Sequence, residues 1–346
     1  MPAVNLPYAN RAFLRSCVRS WCPRLKMNPF KILAKFVRLS TELMIRRYPI
    51  LLLLPILLTP YIQQLTAQTE TRLFVHNGYG RPYIIHRPLH PVEHPAAVFM
   101  LGGIGSTAKT TSEEFNWISE SDRNGFLVVF PEPVPTQTEQ LPDRRNNITF
   151  WEMKGSRTHL LAPGALPVDD EGYLLAVVHD VLQRDHADRK RVFFAGFSSG
   201  SGAVQLLASR HPRDIRGIVA VATALMDPPP KLSLPVPVLY IHGDNDEQFS
   251  GFEVNSPNFA TTPHGNWVTW GYLNGCHIQT ARKMEWGVQL SWQQCKDGVP
   301  VVADFVANFG HEWAGSLDSS GNKSHQKSGL DFTDMAWQFF AALHSK

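Results

Sequence analysis

The sequence predicts an α/β fold, a mostly parallel β-sheet flanked by helices on both faces. From about residue 68, short apolar, β-branched runs alternate with segments of helical period, the pattern of strands linked by helices. Hydrophobic residues make up 43% and charged residues 18% of 346, enough for one large core. With 24 Gly and 26 Pro, about 14% of the chain, the composition stays below the roughly 25–30% of low-complexity sequences. Gly and Pro gather at the ends of the apolar runs, where an open α/β sheet builds its site.

The runs predicted as strands are Thr71–His76, Tyr83–Arg87, Ala96–Leu101, Phe126–Phe130, Arg191–Phe197, Arg216–Ala222, Val236–His242 and Val301–Ala307. They are rich in branched and aromatic side chains that fit a pleated, buried surface. Between the fourth and fifth runs, Tyr173/Leu174, Val177/Val178 and Val181/Leu182 recur at helical spacing, placing one apolar stripe against the sheet. Ala203–Arg210 reads as helix directly after the fifth run. Asp331–His344 reads as a closing helix with Met335, Phe339, Phe340 and Leu343 inward.

Residues 1–67 read as a basic leader and signal peptide, and 68–346 as a single catalytic domain. Ile45-Arg46-Arg47 precedes the apolar stretch Ile50–Leu58, and Thr66-Ala67-Gln68 follows as a cleavage region, with the cut expected after Ala67. Nine apolar residues interrupted by Pro55 fall short of the ~20 that span a bilayer as a helix. The leader reaches far upstream, which points to a start at Met27 or Met44, with an organelle transit peptide as the alternative. Residues 1–47 carry ten Lys/Arg against one acid, so the net +3 of the whole chain leaves the body near −6. That balance argues against a nucleic-acid partner.

Cys17 and Cys22 fall in the leader, and only Cys276 and Cys295 remain, an even pair that fits an oxidising compartment. A disulfide between them would close a loop of about 20 residues and stabilise by roughly 3 kcal/mol in the chain-entropy model. Two buried thiols are the alternative. Asn147-Ile148-Thr149 is a glycosylation sequon that matters only in a glycosylating host.

Gly196-Phe197-Ser198-Ser199-Gly200 places G-x-S-x-G after a buried strand and before a helix, the setting a nucleophile elbow requires. Gly196 and Gly200 leave room where the chain passes close to itself. Ser198 is the candidate nucleophile, and the Ser199 amide at the helix start is a candidate oxyanion donor. Chance alone gives about 0.1 such matches among 22 serines. The alternative is a tight glycine turn without chemistry.

A serine nucleophile needs a base and an acid to orient it, and in this architecture the acid and then the base follow downstream. The run Val236–His242 ends in Gly243-Asp244-Asn245-Asp246, and Val301–Phe309 ends in Gly310-His311. Asp246 and His311 are the candidates, with Asp244 competing on position and Asn245-Asp246 readable as a turn. The Gly102-Gly103-Ile104-Gly105 loop after the third run brings amides near a substrate, and Ile104 is the candidate second donor. It does not spell a nucleotide-binding loop.

His86, His90 and His94 are spaced by four, yet Pro88, Pro91 and Pro95 forbid the helix that would turn them into a metal site. No metal or cofactor is expected. Trp151 and Trp313 are candidates for an aromatic floor under an acyl group or sugar ring, against ordinary packing.

These residues together resemble the secreted polyhydroxybutyrate depolymerase and feruloyl esterase-like family of α/β-hydrolases, across nearly all of 70–345. The resemblance rests on Gly80-Arg81-Pro82-Tyr83 with His86-Arg87-Pro88, Gly125–Pro131, Asp169-Asp170, Gly196–Gly200, His242-Gly243 with Asp246, Trp270 with Asn274-Gly275-Cys276, Cys295, and Gly310–Gly315. It implies Ser198, Asp246 and His311 as triad and pairs Cys276 with Cys295. The family's His-Gly is Gly102-Gly103 here, and its Trp-Pro-Gly is Trp313-Ala314-Gly315, departures that bear on the acyl pocket. The expectation is an exported serine ester hydrolase, secreted or periplasmic, acting on polyhydroxyalkanoate-type or feruloyl or acetyl polysaccharide esters. A secreted serine peptidase and a non-catalytic polymer-binding homologue are the rivals.

Overall fold

The computed structural model describes residues 68–90, 92–133, 135–136, 148–153, 168–225, 228–229, 231–249, 262–317 and 329–343. The expected leader over 1–67 and the sequon's Asn147 lie outside them. Strands β1 (Gln68–His76) and β2 (Tyr79–Arg87) form an antiparallel hairpin. Asn77 and Gly78 turn it with φ of 48° and 80°, the conformation an Asn-Gly hairpin turn needs. β3 (Ala97–Leu101) is followed by α1 (Ala108–Glu114) and α2 (Trp117–Asn124). The Thr107 and Thr110 side chains cap α1 reciprocally.

β4 (Leu127–Pro131) leads to the short pair β5 (Pro135–Thr136) and β6 (Ile148–Thr149). α3 (Asp170–Arg184) starts at Asp169, whose carboxylate accepts from the Gly172 amide. Then come β7 (Val192–Phe197), α4 (Ser199–Arg210), β8 (Gly217–Val221) and β9 (Val238–Gly243). α5 (Pro263–Leu273) has Thr262 as its cap, and β10 (Ile278–Met284), β11 (Gly287–Gln293) and β12 (Val301–Val306) precede α6 (Phe332–Ala342).

One sheet runs β1-β2-β4-β3-β7-β8-β9-β12-β11-β10. Its six central strands, β4 to β12, are parallel, and antiparallel pairs extend both edges. Alternation along the central strands feeds two cores. Phe99, Phe194, Ala220 and Tyr240 point to the layer of α3, α4 and α5. Val98, Phe193, Val219 and Leu239 point to the layer of α1, α2 and α6. This is the predicted mostly parallel sheet with helices on both faces.

All eight predicted strands are present, and β1 and β2 begin earlier than expected. The β10–β11 hairpin was not predicted. Every residue of β10 except Met284 is exposed, so Ile278–Met284 carries no apolar alternation to read. The disulfide between Cys276 and Cys295 is present. It closes the base of this hairpin beside the His277 amide's 3.1 Å bond to the Gln293 carbonyl, giving an exposed element a covalent tie. Among the described residues no helix is long and apolar enough to cross a membrane.

Asp304 on β12 is 2% exposed and accepts from the Gln289 side chain at 2.9 Å. Burial pushes its carboxyl up to about 6, partly opposed by that hydrogen bond. Because the folded value lies above the unfolded one of about 3.9, the folded state binds this proton more tightly. The resulting stability is complete below about pH 4 and is lost as pH rises through 6, a difference of about 3 kcal/mol at most. Asp304→Asn is expected to raise the melting temperature at pH 8, with the gain shrinking toward pH 4 in thermal melts across that range.

Candidate active site

Ser198 stands between the last residue of β7 and the first of α4, with φ 52° and ψ −118°. A side chain at positive φ is strained and persists only where its surroundings fix it. The Ser198 amide donates to the Val221 carbonyl at 3.0 Å, and the Gly202 amide donates to the Ser198 carbonyl at 3.2 Å. Both glycines of the motif are required sterically. A Cβ on Gly196 would lie 2.4 Å from the Gly200 carbonyl oxygen, and one on Gly200 would lie 2.1 Å from the Leu101 carbonyl oxygen. The turn therefore rests directly on the end of β3.

Two other strand ends supply the acid and the imidazole. Asp246 follows β9, and His311 follows β12. Nδ1 of His311 lies 2.8 Å from Oδ2 of Asp246, while Oδ1 accepts from the Gln248 amide at 3.0 Å. Asp244, the competing acid, instead accepts from the Asn308 amide at 2.6 Å and so fixes the turn beyond β12. The Asn245 amide donates to the Phe309 carbonyl at 2.9 Å, binding the two loops to each other.

Asp246 is 1% exposed. Burial alone would raise its carboxyl, but the His311 hydrogen bond and charge, His242 and the Gln248 amide together hold it below the usual range. An ionised carboxylate only accepts, so Nδ1 of His311 carries a proton in either state of the ring, and loss of the other proton leaves the lone pair on Nε2. The His311 ring tilts against Phe197, the residue before Ser198, with centroids 5.1 Å apart. His242 is buried with Nδ1 3.0 Å from the Tyr240 hydroxyl and Nε2 3.8 Å from Asp246.

Ser199 is the first residue of α4, where backbone amides have no partner within the helix and the helix dipole favours negative charge. Ile104 sits in the loop between β3 and α1. A Cβ on the adjacent Gly103 would lie 3.2 Å from the Ser198 Cβ, so that loop touches the candidate nucleophile.

The two tryptophans expected as an aromatic floor are packed inside instead. Trp151 is 1% exposed and its indole N–H donates to the Gly102 carbonyl at 3.1 Å. Trp313 is 2% exposed, donates to the Thr333 hydroxyl at 3.0 Å, and packs among Phe115, Trp117, Phe197 and Phe332. Both indoles face the core, where a buried N–H needs its partner. His86 lies between Thr69 and Asp122 at 2.7 and 3.0 Å, and His94 contacts the His186 carbonyl, so each has a local structural partner.

A mostly parallel sheet between two helical layers, with a strained serine at a strand-to-helix turn, is the α/β-hydrolase fold, as the resemblance implied. An acetyl xylan esterase from Aspergillus awamori aligns at a TM-score of 0.52 and 14% identity, over 80% of this chain and 99% of its own. A poly(3-hydroxybutyrate) depolymerase from Bordetella parapertussis aligns at a TM-score of 0.45 and 15% identity, over 71% of this chain and 86% of its own. In sequence the chain is 21% identical over 266 residues to a bifunctional acetylxylan esterase/xylanase from Neocallimastix patriciarum. That match covers 71% of this chain and spans 35% of the relative's length. No protein-family model matches the chain.

The contact under Ser198 gives a direct test. Gly200→Ala forces a methyl onto the backbone of β3 and is expected to lower the melting temperature by several degrees or prevent folding. Gly80→Ala, where a Cβ meets only the Leu73 side chain at 3.5 Å, is expected to melt like the parent. Thermal unfolding of the two proteins side by side checks the contrast.

Proposed function

We propose that the chain is a serine ester hydrolase with Ser198 as nucleophile, His311 as base and Asp246 as the residue that orients it. The observation that carries this reading is the strained Ser198 at the β7–α4 turn, at the same sheet edge as the hydrogen-bonded Asp246–His311 pair. Nε2 of His311 takes the Ser198 hydroxyl proton as Oγ bonds to the ester carbonyl carbon, whose oxygen becomes anionic. The amides of Ser199 and Ile104 stabilise that oxygen. The carbon–oxygen bond to the alcohol then breaks, and the imidazolium returns the proton to the leaving alkoxide. Water, deprotonated by His311, cleaves the acyl-enzyme and frees the acid and Ser198.

Acetylated polysaccharide is the substrate class we favour, supported by the sequence likeness to an acetylxylan esterase. Feruloylated polysaccharide and polyhydroxyalkanoate are the other members of the test panel. We place the catalytic domain at 68–346 and propose export of the chain to a secreted or periplasmic compartment, which the Cys276–Cys295 disulfide supports.

Purified protein is expected to hydrolyse p-nitrophenyl acetate and to release acetate from acetylated xylan, and to label at Ser198 with a fluorophosphonate. Ser198→Ala should abolish both turnover and labelling. Cleavage of chromogenic peptides with esters untouched would select a peptidase instead. Asp246→Asn leaves His311 free to adopt the wrong tautomer and is expected to lower kcat by about 10³–10⁴-fold. Steady-state kinetics on p-nitrophenyl acetate measures it, and a loss under ten-fold would remove Asp246 from its role.

A further inference from the structure

We propose that Trp151 is a positioning residue that fixes the first peptide plane of the Gly102–Gly105 loop and, through it, the direction of the following Ile104 amide toward the anionic oxygen of the reaction. The proposal rests on the ester hydrolase reading above and adds to it the part that sets the loop's geometry.

Three consecutive peptide groups cross this loop, and each is held by one hydrogen bond. The Gly102 carbonyl accepts from the Trp151 indole at 3.1 Å. The Gly103 carbonyl accepts from the Ser106 amide at 3.2 Å, and the Gly105 amide donates to the Thr149 carbonyl at 2.7 Å. In a trans peptide the carbonyl of one residue and the N–H of the next point in opposite directions within one plane. No described peptide bond is cis. Fixing the Gly102 carbonyl therefore fixes the Gly103 N–H, and fixing the Gly103 carbonyl fixes the Ile104 N–H. Of the three bonds, the Trp151 contact alone depends on a side chain and is open to removal by substitution.

Trp151 is itself held on a rigid mount. The next amide, that of Glu152, donates to Oδ2 of Asp170 at 2.6 Å. Asp170 is 1% exposed and its Oδ1 lies 2.7 Å from Nη2 of Arg81. Arg81 also donates twice to the Glu132 carbonyl, at 3.0 and 2.7 Å, and lies over the Tyr173 ring. The Glu132 carboxylate accepts from the amide of Ala108, at the start of α1, where the loop ends. The path is a closed circuit of buried and part-buried contacts from one end of the loop to the other. Charged groups paired inside a protein resist displacement, because breaking one contact strands another.

The test is Trp151→Phe, which keeps an aromatic ring and deletes the donor, together with benzothienylalanine at position 151, which replaces the indole N–H by sulfur at nearly constant shape. Turnover of p-nitrophenyl acetate is measured beside the affinity of a trifluoromethyl ketone. Ser198 Oγ adds to the carbonyl of that ketone, the hydroxyl proton passes to His311, and the ketone oxygen becomes an anion in the same loop. Both variants are expected to lose kcat by roughly ten- to a hundred-fold, with KM within about two-fold, and to bind the ketone weaker by the same factor. Values of kcat within about two-fold of the parent in the folded sulfur variant would overturn the proposal. So would a loss of kcat with ketone affinity unchanged, which marks general structural damage. A parent protein inert toward esters and fluorophosphonate would instead overturn the hydrolase reading, a result separable from either.

Discussion

The arrangement depends on one close approach, where the start of α4 lies against the last carbonyl of β3. No side chain fits at position 200, because its Cβ would lie 2.1 Å from the Leu101 oxygen. This contact makes the strand-to-helix turn sharp enough to hold Ser198 at positive φ, a conformation that costs on the order of 1–3 kcal/mol. The flanking strand offsets the cost by burial. Phe194 of β7 stacks on Phe99 in one core, and Phe193 stacks on Phe340 in the other, with centroids 4.7 and 4.6 Å apart. Each fully buried phenylalanine contributes about 1.5–3 kcal/mol, a magnitude comparable to that cost.

Parallel pairing then carries chemistry to the same edge of the sheet. β7, β9 and β12 all end there, so residues just past their carboxyl ends share that edge although Asp246 and His311 are 65 positions apart. A second close approach, of Gly243 to the Phe309 carbonyl, locks the β9 and β12 loops together. The tie leaves Asp246 both hydrogen-bonded and shielded from water. Antiparallel strands would alternate their ends and divide these residues between opposite edges.

Local chemistry with a strong period or a fixed spacing was legible in the sequence. The six central strands stood out because both faces are covered and their residues are nearly all apolar. Gly196, Ser198 and Gly200 stood out because a backbone collision dictates them. Asp244 competed with Asp246 on position, since each is an aspartate in a turn after a strand, and the resemblance favoured Asp246. Only the placement of Asn308 and His311 around them separates their tasks. Trp151 and Trp313 were legible as aromatic residues near the site, whereas the direction of each ring depends on partners distant in sequence, Gly102 and Thr333. The Arg81–Asp170 pair was hidden for the same reason.

Asp246 and Asp304 show how much those partners decide. They belong to adjacent segments of the same sheet region, and both are buried. Asp246 has donors on both oxygens and an imidazole beside it, so the charged form is held and the carboxyl falls below its usual range. Asp304 has a neutral amide as its donor, and burial prevails, raising it. Both carboxylates are nearly closed off from solvent, and the shifts have opposite sign. A carboxylate at this sheet edge is thus made to stay ionised by two loops that the parallel ladder brings together. The same ladder leaves the Asp304 carboxyl raised to about 6, so as pH falls it takes up a proton before Asp246 does.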